Sequence, residues 1–121
     1  MLGGDTSVAG QEWLIDASGC SPARLRDQPE LASLFERLIV LLDLKVIGSP
    51  RWHVFPKTGG ITGLALLSES HLAIHTFPEH GFAALNLYSC RRRARPDLER
   101  IAAEHLGAAS VAVREITRGG R

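Results

Sequence analysis

Apolar side chains recur along the chain at two spacings, and these spacings predict helices and strands. Over 29–42 the apolar positions lie three or four residues apart, which predicts an amphipathic helix with one buried stripe. A second helix is predicted over 96–106, and Gly107 is a residue suited to its C-terminal end. Ser21 followed by Pro22 has the chemistry of a helix start, with the serine as the cap.

Shorter segments favour strands, because their apolar residues alternate with polar ones or because turn residues flank them. These segments are 12–17, 44–55 with an interruption at 48–50, 61–67, 71–77, 82–90 and 110–116. The order β-α-β-β-β-β-α-β predicts an α+β fold, a two-layer sandwich with both helices packed on one face of an antiparallel-rich sheet. We expect a single domain over 11–117, with 1–10 and 118–121 as tails.

Composition is typical of a soluble globular protein, and it does not indicate a partner. Hydrophobic residues make up 45% and charged residues 22% of the chain, and the formal net charge is +1. This balance gives no electrostatic case for a nucleic-acid or membrane partner. No apolar run approaches the ~20 residues that span a bilayer, and the first residues do not read as a secretory signal. A domain of 121 residues buries only a modest core, so oligomerisation would help to stabilise it.

The two cysteines, Cys20 and Cys90, are too few for a disulfide framework. Free thiols favour a reducing compartment, and we therefore expect a cytoplasmic protein. In the predicted strand 82–90, Cys90 faces away from Leu85 and Leu87. If these leucines face the core, Cys90 lies on the opposite face. The alternative is that Cys90 is simply a small buried hydrophobic residue.

The densest group of reactive side chains lies within 67–79. Ser70 follows Glu69 directly, and His75 comes five residues after the serine. By alternation along its strand, His75 lies on the same predicted face as Cys90, so adjacent strands would let the two share a site.

A metal site is not expected from the histidines, and neither is a hydrolase triad. His71 and His75 have the spacing of zinc ligands on a helix, but four residues of a strand span about 13 Å. That separation is too long for two ligands of one zinc ion. Ser70 is not within a Gly-x-Ser-x-Gly motif.

The segment 67–90 resembles the self-cleavage site of the small prokaryotic S-adenosylmethionine decarboxylases, and the resemblance extends roughly over 11–116. In that family the chain cuts itself before a serine and converts the serine into a pyruvoyl group. That group forms a Schiff base with the substrate amine and accepts the electrons released by decarboxylation. The resemblance implies cleavage into a β chain, 1–69, and an α chain, 70–121, in a homodimer of cleaved protomers.

The resemblance also implies a role for each matching residue in processing. Ser70 is the pyruvoyl precursor and its hydroxyl attacks the carbonyl of Glu69. His75 is the processing base. Thr62 falls where the family usually has a serine whose hydroxyl assists processing. An oxyanion donor and a turn at the serine are also required.

For turnover, the resemblance implies that Cys90 returns a proton to the substrate carbon. Glu79 holds the ribose hydroxyls, and Phe55 stacks on the adenine. The implied reaction is decarboxylation of S-adenosylmethionine, which yields the aminopropyl donor for spermidine synthesis.

Several positions depart from the family pattern: Glu12 replaces a common His, Phe77 a common Trp, Asn86 a common Asp, and Arg91 a common Gly. These departures leave two alternatives open. One is a pyruvoyl enzyme that decarboxylates a basic amino acid such as ornithine or arginine. The other, suggested by Thr62, is an uncleaved homologue with a binding or regulatory role. The run Arg91–Arg93 either is a solvated loop or changes the substrate charge that is preferred.

Overall fold

The fold is that of a computed structural model, which describes residues 9–119. Within this range the chain forms, in order, β1 (Ala9–Ser18), α1 (Pro22–Leu25), α2 (Gln28–Leu41), β2 (Arg51–Val54), β3 (Ile61–Leu66), β4 (Ser70–Phe77), a 3₁₀ helix (Pro78–His80), β5 (Phe82–Ser89), α3 (Leu98–Leu106) and β6 (Ser110–Gly119). None of the helices in 9–119 is long and apolar enough to cross a membrane.

The strands form one six-stranded sheet in the order β2-β3-β4-β5-β1-β6. Each neighbouring pair is antiparallel. In this order, the first strand of the chain lies between β5 and the last strand. Short connections join β3 to β4 and β4 to β5, as expected for hairpins. The predicted α+β sandwich with an antiparallel sheet is confirmed.

The core lies between the helices and one face of the sheet. The helices contribute buried side chains from α1, α2 and α3, namely Leu25, Leu31, Leu34, Phe35, Leu38, Leu98, Ile101, Ala102 and Leu106. The sheet contributes alternate residues, among them Trp13, Ile15, Ile61, Leu72, Ile74, Leu85 and Leu87. The two predicted helices therefore pack on one face, because each has a single apolar stripe to bury.

The other face of the sheet is called the open face below. Its side chains are partly or fully exposed, and they include Glu12, Leu14, Thr62, Leu64, Leu66, His71, His75, Asn86, Tyr88 and Arg118. Two apolar side chains at successive outward positions of β3 are strongly exposed, Leu64 at 48% and Leu66 at 58%.

Local chemistry places the helix ends. The Ser21 hydroxyl accepts from the Arg24 N–H at 3.3 Å, as the sequence predicted for the Ser21–Pro22 pair. The helix there is only one turn, because Asp27 then caps α2 by accepting from the Glu30 N–H at 3.3 Å. Gly107 ends α3 in a left-handed conformation with φ 64°, also as predicted.

Two predicted boundaries are wrong. Of the segment 44–55, which was predicted to be interrupted at 48–50, only 51–54 is a strand, because the earlier part makes a single isolated bridge, Val46 with Leu67, one residue beyond β3. The predicted tails include residues that belong to the sheet, since 9–10 pairs with 118–119 in the long β1–β6 ladder. Residues 1–8 and 120–121 lie outside the described residues.

Candidate active site

The Glu69–Ser70 bond lies at the tight turn between β3 and β4. Leu66 pairs with His71, and the Leu67 N–H donates to the Ser70 carbonyl at 3.0 Å. Only Ser68 and Glu69 remain in the loop, and both are exposed, whereas Ser70 is half-buried. The bond therefore lies at the protein surface, held on one side by the first residue of β4.

A backbone N–H donates directly to the carbonyl of this bond. The Cys90 N–H donates to the Glu69 carbonyl oxygen at 3.1 Å, which continues the β4–β5 ladder one step beyond the pair Ser70–Ser89. When a hydroxyl attacks that carbonyl, negative charge develops on the oxygen, and a preorganised donor stabilises it. The self-cleavage that the resemblance implies requires such a donor. The sequence does not identify it, because the donor belongs to the backbone of a neighbouring strand.

The two thiols have different environments. Both are free; Cys90 is exposed and Cys20 is buried. Burial raises the pKa of the Cys20 thiol, so this cysteine is an inert part of the core. Of the two, only Cys90 is available for chemistry at the surface.

The arginine run next to Cys90 is only partly solvated. Arg91 lies 3.2 Å from the Glu69 carboxylate in an exposed ion pair. Arg93 is built into the fold: its guanidinium donates to the Leu42 carbonyl at 2.7 Å, and its N–H donates to the Gln11 side chain at 3.0 Å. The two arginines therefore differ, since Arg93 ties the loop to the end of α2.

Thr62 and His75, two predicted processing residues, meet on the open face. The Thr62 hydroxyl oxygen lies 3.0 Å from His75 Nδ1, across the β3–β4 pair that the register defines. The threonine keeps the hydroxyl that the family's serine would supply. This contact holds the imidazole in one orientation.

Within one chain, the structure does not bring His75 to Ser70 or to Cys90. His75 is five residues along β4 from Ser70, about 16 Å in an extended strand. His75 pairs with Ala84, six positions from Cys90, which is about 20 Å. The expectation that Cys90 and His75 share a site within one hairpin is therefore wrong, although His75 lies on the predicted face and both residues are exposed.

Phe55 and Glu79 lie at the same end of the sheet as His75. Phe55 follows β2 and is 48% exposed, with its ring edge-to-face against His53 at 5.0 Å between centroids. Glu79 is exposed in the 3₁₀ helix directly after β4. We call Phe55, Thr62, His75 and Glu79 the recognition end, and we call Glu69, Ser70, Cys90 and Arg91 the cleavage end.

A chain of polar contacts crosses the open face next to the cleavage end. His71 Nε2 lies 2.8 Å from Asn86 Oδ1, and the Asn86 amide donates to Glu12. Arg118 donates to the other Glu12 oxygen at 2.8 Å and lies over the Tyr88 ring at 5.8 Å. The hydrogen bond from Asn86 is the main reason that the pKa of Glu12 is lowered; burial opposes it and Arg118 adds to it.

The sequence singles out His71, Glu12 and Asn86 separately, and it does not show that they form one chain of hydrogen bonds. These residues are on β4, β1 and β5, so no spacing along the chain connects them. The signal that was available is that two of the noted departures, Glu12 and Asn86, involve a carboxylate and an amide, which can bond each other.

Comparisons with known proteins show the family of this chain and a shared fold. A family model described as S-adenosylmethionine decarboxylase matches residues 11–119. S-adenosylmethionine decarboxylase proenzyme 2 of Halalkalibacterium halodurans is 36% identical over 113 residues, which cover 91% of this chain and 86% of that protein. The S-adenosylmethionine decarboxylase proenzyme of Pyrococcus furiosus is 31% identical over 88 residues, 73% of this chain.

The alignment covers 62% of the Pyrococcus furiosus protein, so this chain spans less than two thirds of that relative's length. A solved structure, the adenosylmethionine decarboxylase from Aquifex aeolicus, superposes with a TM-score of 0.73 at 24% identity. The superposition covers 92% of this chain and 91% of that one, and it shows that the two share a fold.

Proposed function

Because the chain belongs to the S-adenosylmethionine decarboxylase family, we propose that it is a self-processing enzyme that decarboxylates S-adenosylmethionine through a pyruvoyl group made from Ser70. Its product is the aminopropyl donor for spermidine synthesis. The observation that carries the proposal is the hydrogen bond from the Cys90 N–H to the Glu69 carbonyl, at the bond that must break.

Self-cleavage needs no reagent except water. The Ser70 hydroxyl adds to the Glu69 carbonyl, the peptide C–N bond breaks, and Glu69 is left as an ester of the serine. The Cys90 N–H stabilises the carbonyl oxygen during this addition. A base then removes the Ser70 α-proton, and the bond between the serine Cβ and the ester oxygen breaks, so that residue 69 leaves with a main-chain carboxylate. The resulting dehydroalanine exchanges its nitrogen with water to give ammonia and a ketone.

The residues present fit a pyruvoyl group at position 70. The serine is at an accessible turn, its preceding carbonyl already accepts a backbone donor, and the exposed Cys90 is the next residue along that ladder. The pyruvoyl group supplies a carbonyl that accepts the electrons released when carbon dioxide leaves. Cys90 holds the proton that is returned to the substrate carbon.

The separation of the two ends favours a site made from two copies of the chain. His75 is about 16 Å from Ser70 along an extended strand, too far for proton transfer within one chain. A second copy related by two-fold symmetry would bring its recognition end to this chain's cleavage end, and the reverse contact would follow. We therefore propose a homodimer of cleaved protomers with two equivalent sites.

The open face is the surface that such a dimer would use. It carries exposed apolar side chains on three strands, at 40–58% exposure: Leu64, Leu66, Phe77 and Ile116. Packing against a second open face would remove them from water and complete a core that is small in one protomer.

Substrate binding at the recognition end has a matching chemistry. The exposed ring of Phe55 can stack on an adenine, and the exposed Glu79 carboxylate can accept hydrogen bonds from the two ribose hydroxyls. The family match favours S-adenosylmethionine over ornithine or arginine, and a catalytic protein over a binding homologue. The free thiols support a cytoplasmic location.

The test is the intact mass of the purified protein under denaturing, reducing conditions. Two fragments, 1–69 and 70–121, are expected, with a summed mass that exceeds the precursor only by the exchange of ammonia for water. A full water added would indicate ordinary proteolysis, and a single uncut chain would contradict the proposal. A substrate panel with S-adenosylmethionine, ornithine and arginine then separates the two decarboxylase alternatives.

A further inference from the structure

Cleavage before Ser70 turns an internal residue into a chain end. Before the cut, residue 70 is held by the peptide bond to Glu69 and by its place in the ladder opposite Ser89. After the cut only the ladder and the side chains that follow remain, and strand ends open more easily than strand interiors. His71 is the first side chain that can hold the new end in place.

Two contacts fix the His71 ring on the open face. Its Nε2 atom lies 2.8 Å from Asn86 Oδ1. Its plane stacks on Tyr88 at 5.8 Å between centroids and 19° between planes. Both partners lie on β5, which the cut leaves in the same fragment as His71.

The direction of the hydrogen bond follows from the partner behind Asn86. The ionised Glu12 carboxylate can only accept hydrogen bonds, so the amide nitrogen of Asn86 must face it. The amide oxygen therefore faces His71, and His71 Nε2 must carry the hydrogen. Glu12 also accepts from Arg118 at 2.8 Å, which keeps its carboxylate charged and in place.

The same carboxylate joins the two fragments that cleavage would produce. Glu12 lies in 1–69, whereas Asn86 and Arg118 lie in 70–121. Its side chain is only 16% exposed, so these bonds are shielded from water more than an ordinary surface ion pair.

We propose that His71 is a positioning residue that anchors the chain end created by cleavage, and that Asn86, with Glu12 behind it, holds this anchor. The inference rests on the proposed function, because only a cut chain has this end. Its role is to keep the pyruvoyl group at the start of β4 aligned with Cys90, not to take part in the bond breaking that makes it.

The test removes the anchor in a chain that cleaves itself and in a chain that does not. Asn86→Ala is made in the self-cleaving chain and in Ser70→Ala, which keeps the peptide bond. Amide hydrogen exchange over 71–73, the first residues that keep an N–H after cleavage, is measured in the four proteins. We expect Asn86→Ala to speed exchange by about two- to tenfold in the cut protein, the effect of one net hydrogen bond, and by much less in the uncut one.

Kinetics supply a second readout. Asn86→Ala should lower kcat by about two- to tenfold while the rate of self-cleavage stays near that of the unmodified chain. In the double variant Glu12→Gln with Asn86→Asp, the new amide can donate to the new carboxylate, and that carboxylate can accept from His71. This variant should recover most of kcat. Arg100→Ala, which removes an exposed contact on α3, is the control for a general surface effect.

The outcomes separate the two proposals. An uncut wild-type chain contradicts the proposed function and this inference together. A wild-type chain that cuts itself, with equal exchange and equal kcat in Asn86→Ala, contradicts this inference alone. Equal acceleration of exchange in the cut and uncut proteins also contradicts it, because the contact would then be merely structural. Nitrogen NMR that finds the hydrogen of neutral His71 on Nδ1 contradicts the assigned direction of the bond.

Discussion

Strand β4 carries different chemistry at its two ends. At the cleavage end, the Glu69–Ser70 bond lies in a tight turn and its carbonyl accepts the Cys90 N–H. At the recognition end, His75 contacts Thr62, and Phe55 and Glu79 are exposed nearby in the chain's adjoining turns. One end contains the bond and the thiol, and the other contains the imidazole and the groups suited to a nucleoside.

For the proposed reaction, neither end holds all of the groups that are required. The extended strand β4 keeps Ser70 and His75 about 16 Å apart, and the two residues cannot approach each other within one sheet. In the proposed homodimer, two copies with antiparallel open faces would bring the two ends together without any movement within the protomer.

The largest effect is expected at the cleavage end itself. Ser70→Ala removes the attacking hydroxyl, so the chain should fold and remain a single uncut species by intact mass. Ser68→Ala, in the same turn, should be cut normally and serves as the matched control. Cleavage of Ser70→Ala at the same bond would show that the serine is not the nucleophile.

Mixing two inactive chains tests whether the ends cooperate between copies. Ser70→Ala and His75→Ala should each stay uncut alone. When they are co-expressed, a mixed dimer has one site with both residues intact, and the His75→Ala chain should be the one that is cut. Mass spectrometry identifies the cut chain. If co-expression leaves both chains intact while each variant is folded and dimeric, the shared site is wrong.

A smaller effect is expected from the contact that orients the imidazole. Thr62→Ala should slow cleavage by about tenfold or more, because His75 then loses the hydroxyl 3.0 Å from its Nδ1 atom. Thr62→Ser keeps that hydroxyl and should cut at close to the normal rate. A time course of the two fragments measures both. Equal rates for the alanine and serine variants would remove Thr62 from the processing machinery.

The smallest effect is expected for the ion pair at the cleavage end. Arg91→Ala removes a pair whose side chains are 65% and 44% exposed, so the free energy of unfolding should fall by under about 1 kcal/mol. Arg93→Ala should cost more, because it leaves the Leu42 carbonyl without its donor. Chemical denaturation of the Ser70→Ala background compares the two without interference from cleavage.

Much of the fold followed from local patterns. The caps at Ser21 and Gly107 depend on side-chain and backbone preferences of a few adjacent residues, and both were predicted. The predicted strand at 44–47 has apolar residues but no neighbouring strand along most of its length, since only Val46 forms a bridge, with Leu67 just beyond β3. Strands need partners, so their extent is decided by the sheet.

The chain alone predicts which face of a strand each residue occupies, because alternation along a strand depends on the backbone alone. His75 is on the predicted open face for that reason, and Cys90, one residue beyond β5, is exposed. Only the tertiary structure decided their separation, because the register of β4 on β5 depends on how both strands bury their apolar residues. The same holds for Glu12, Asn86 and Arg118, which meet only because β1 lies between β5 and β6.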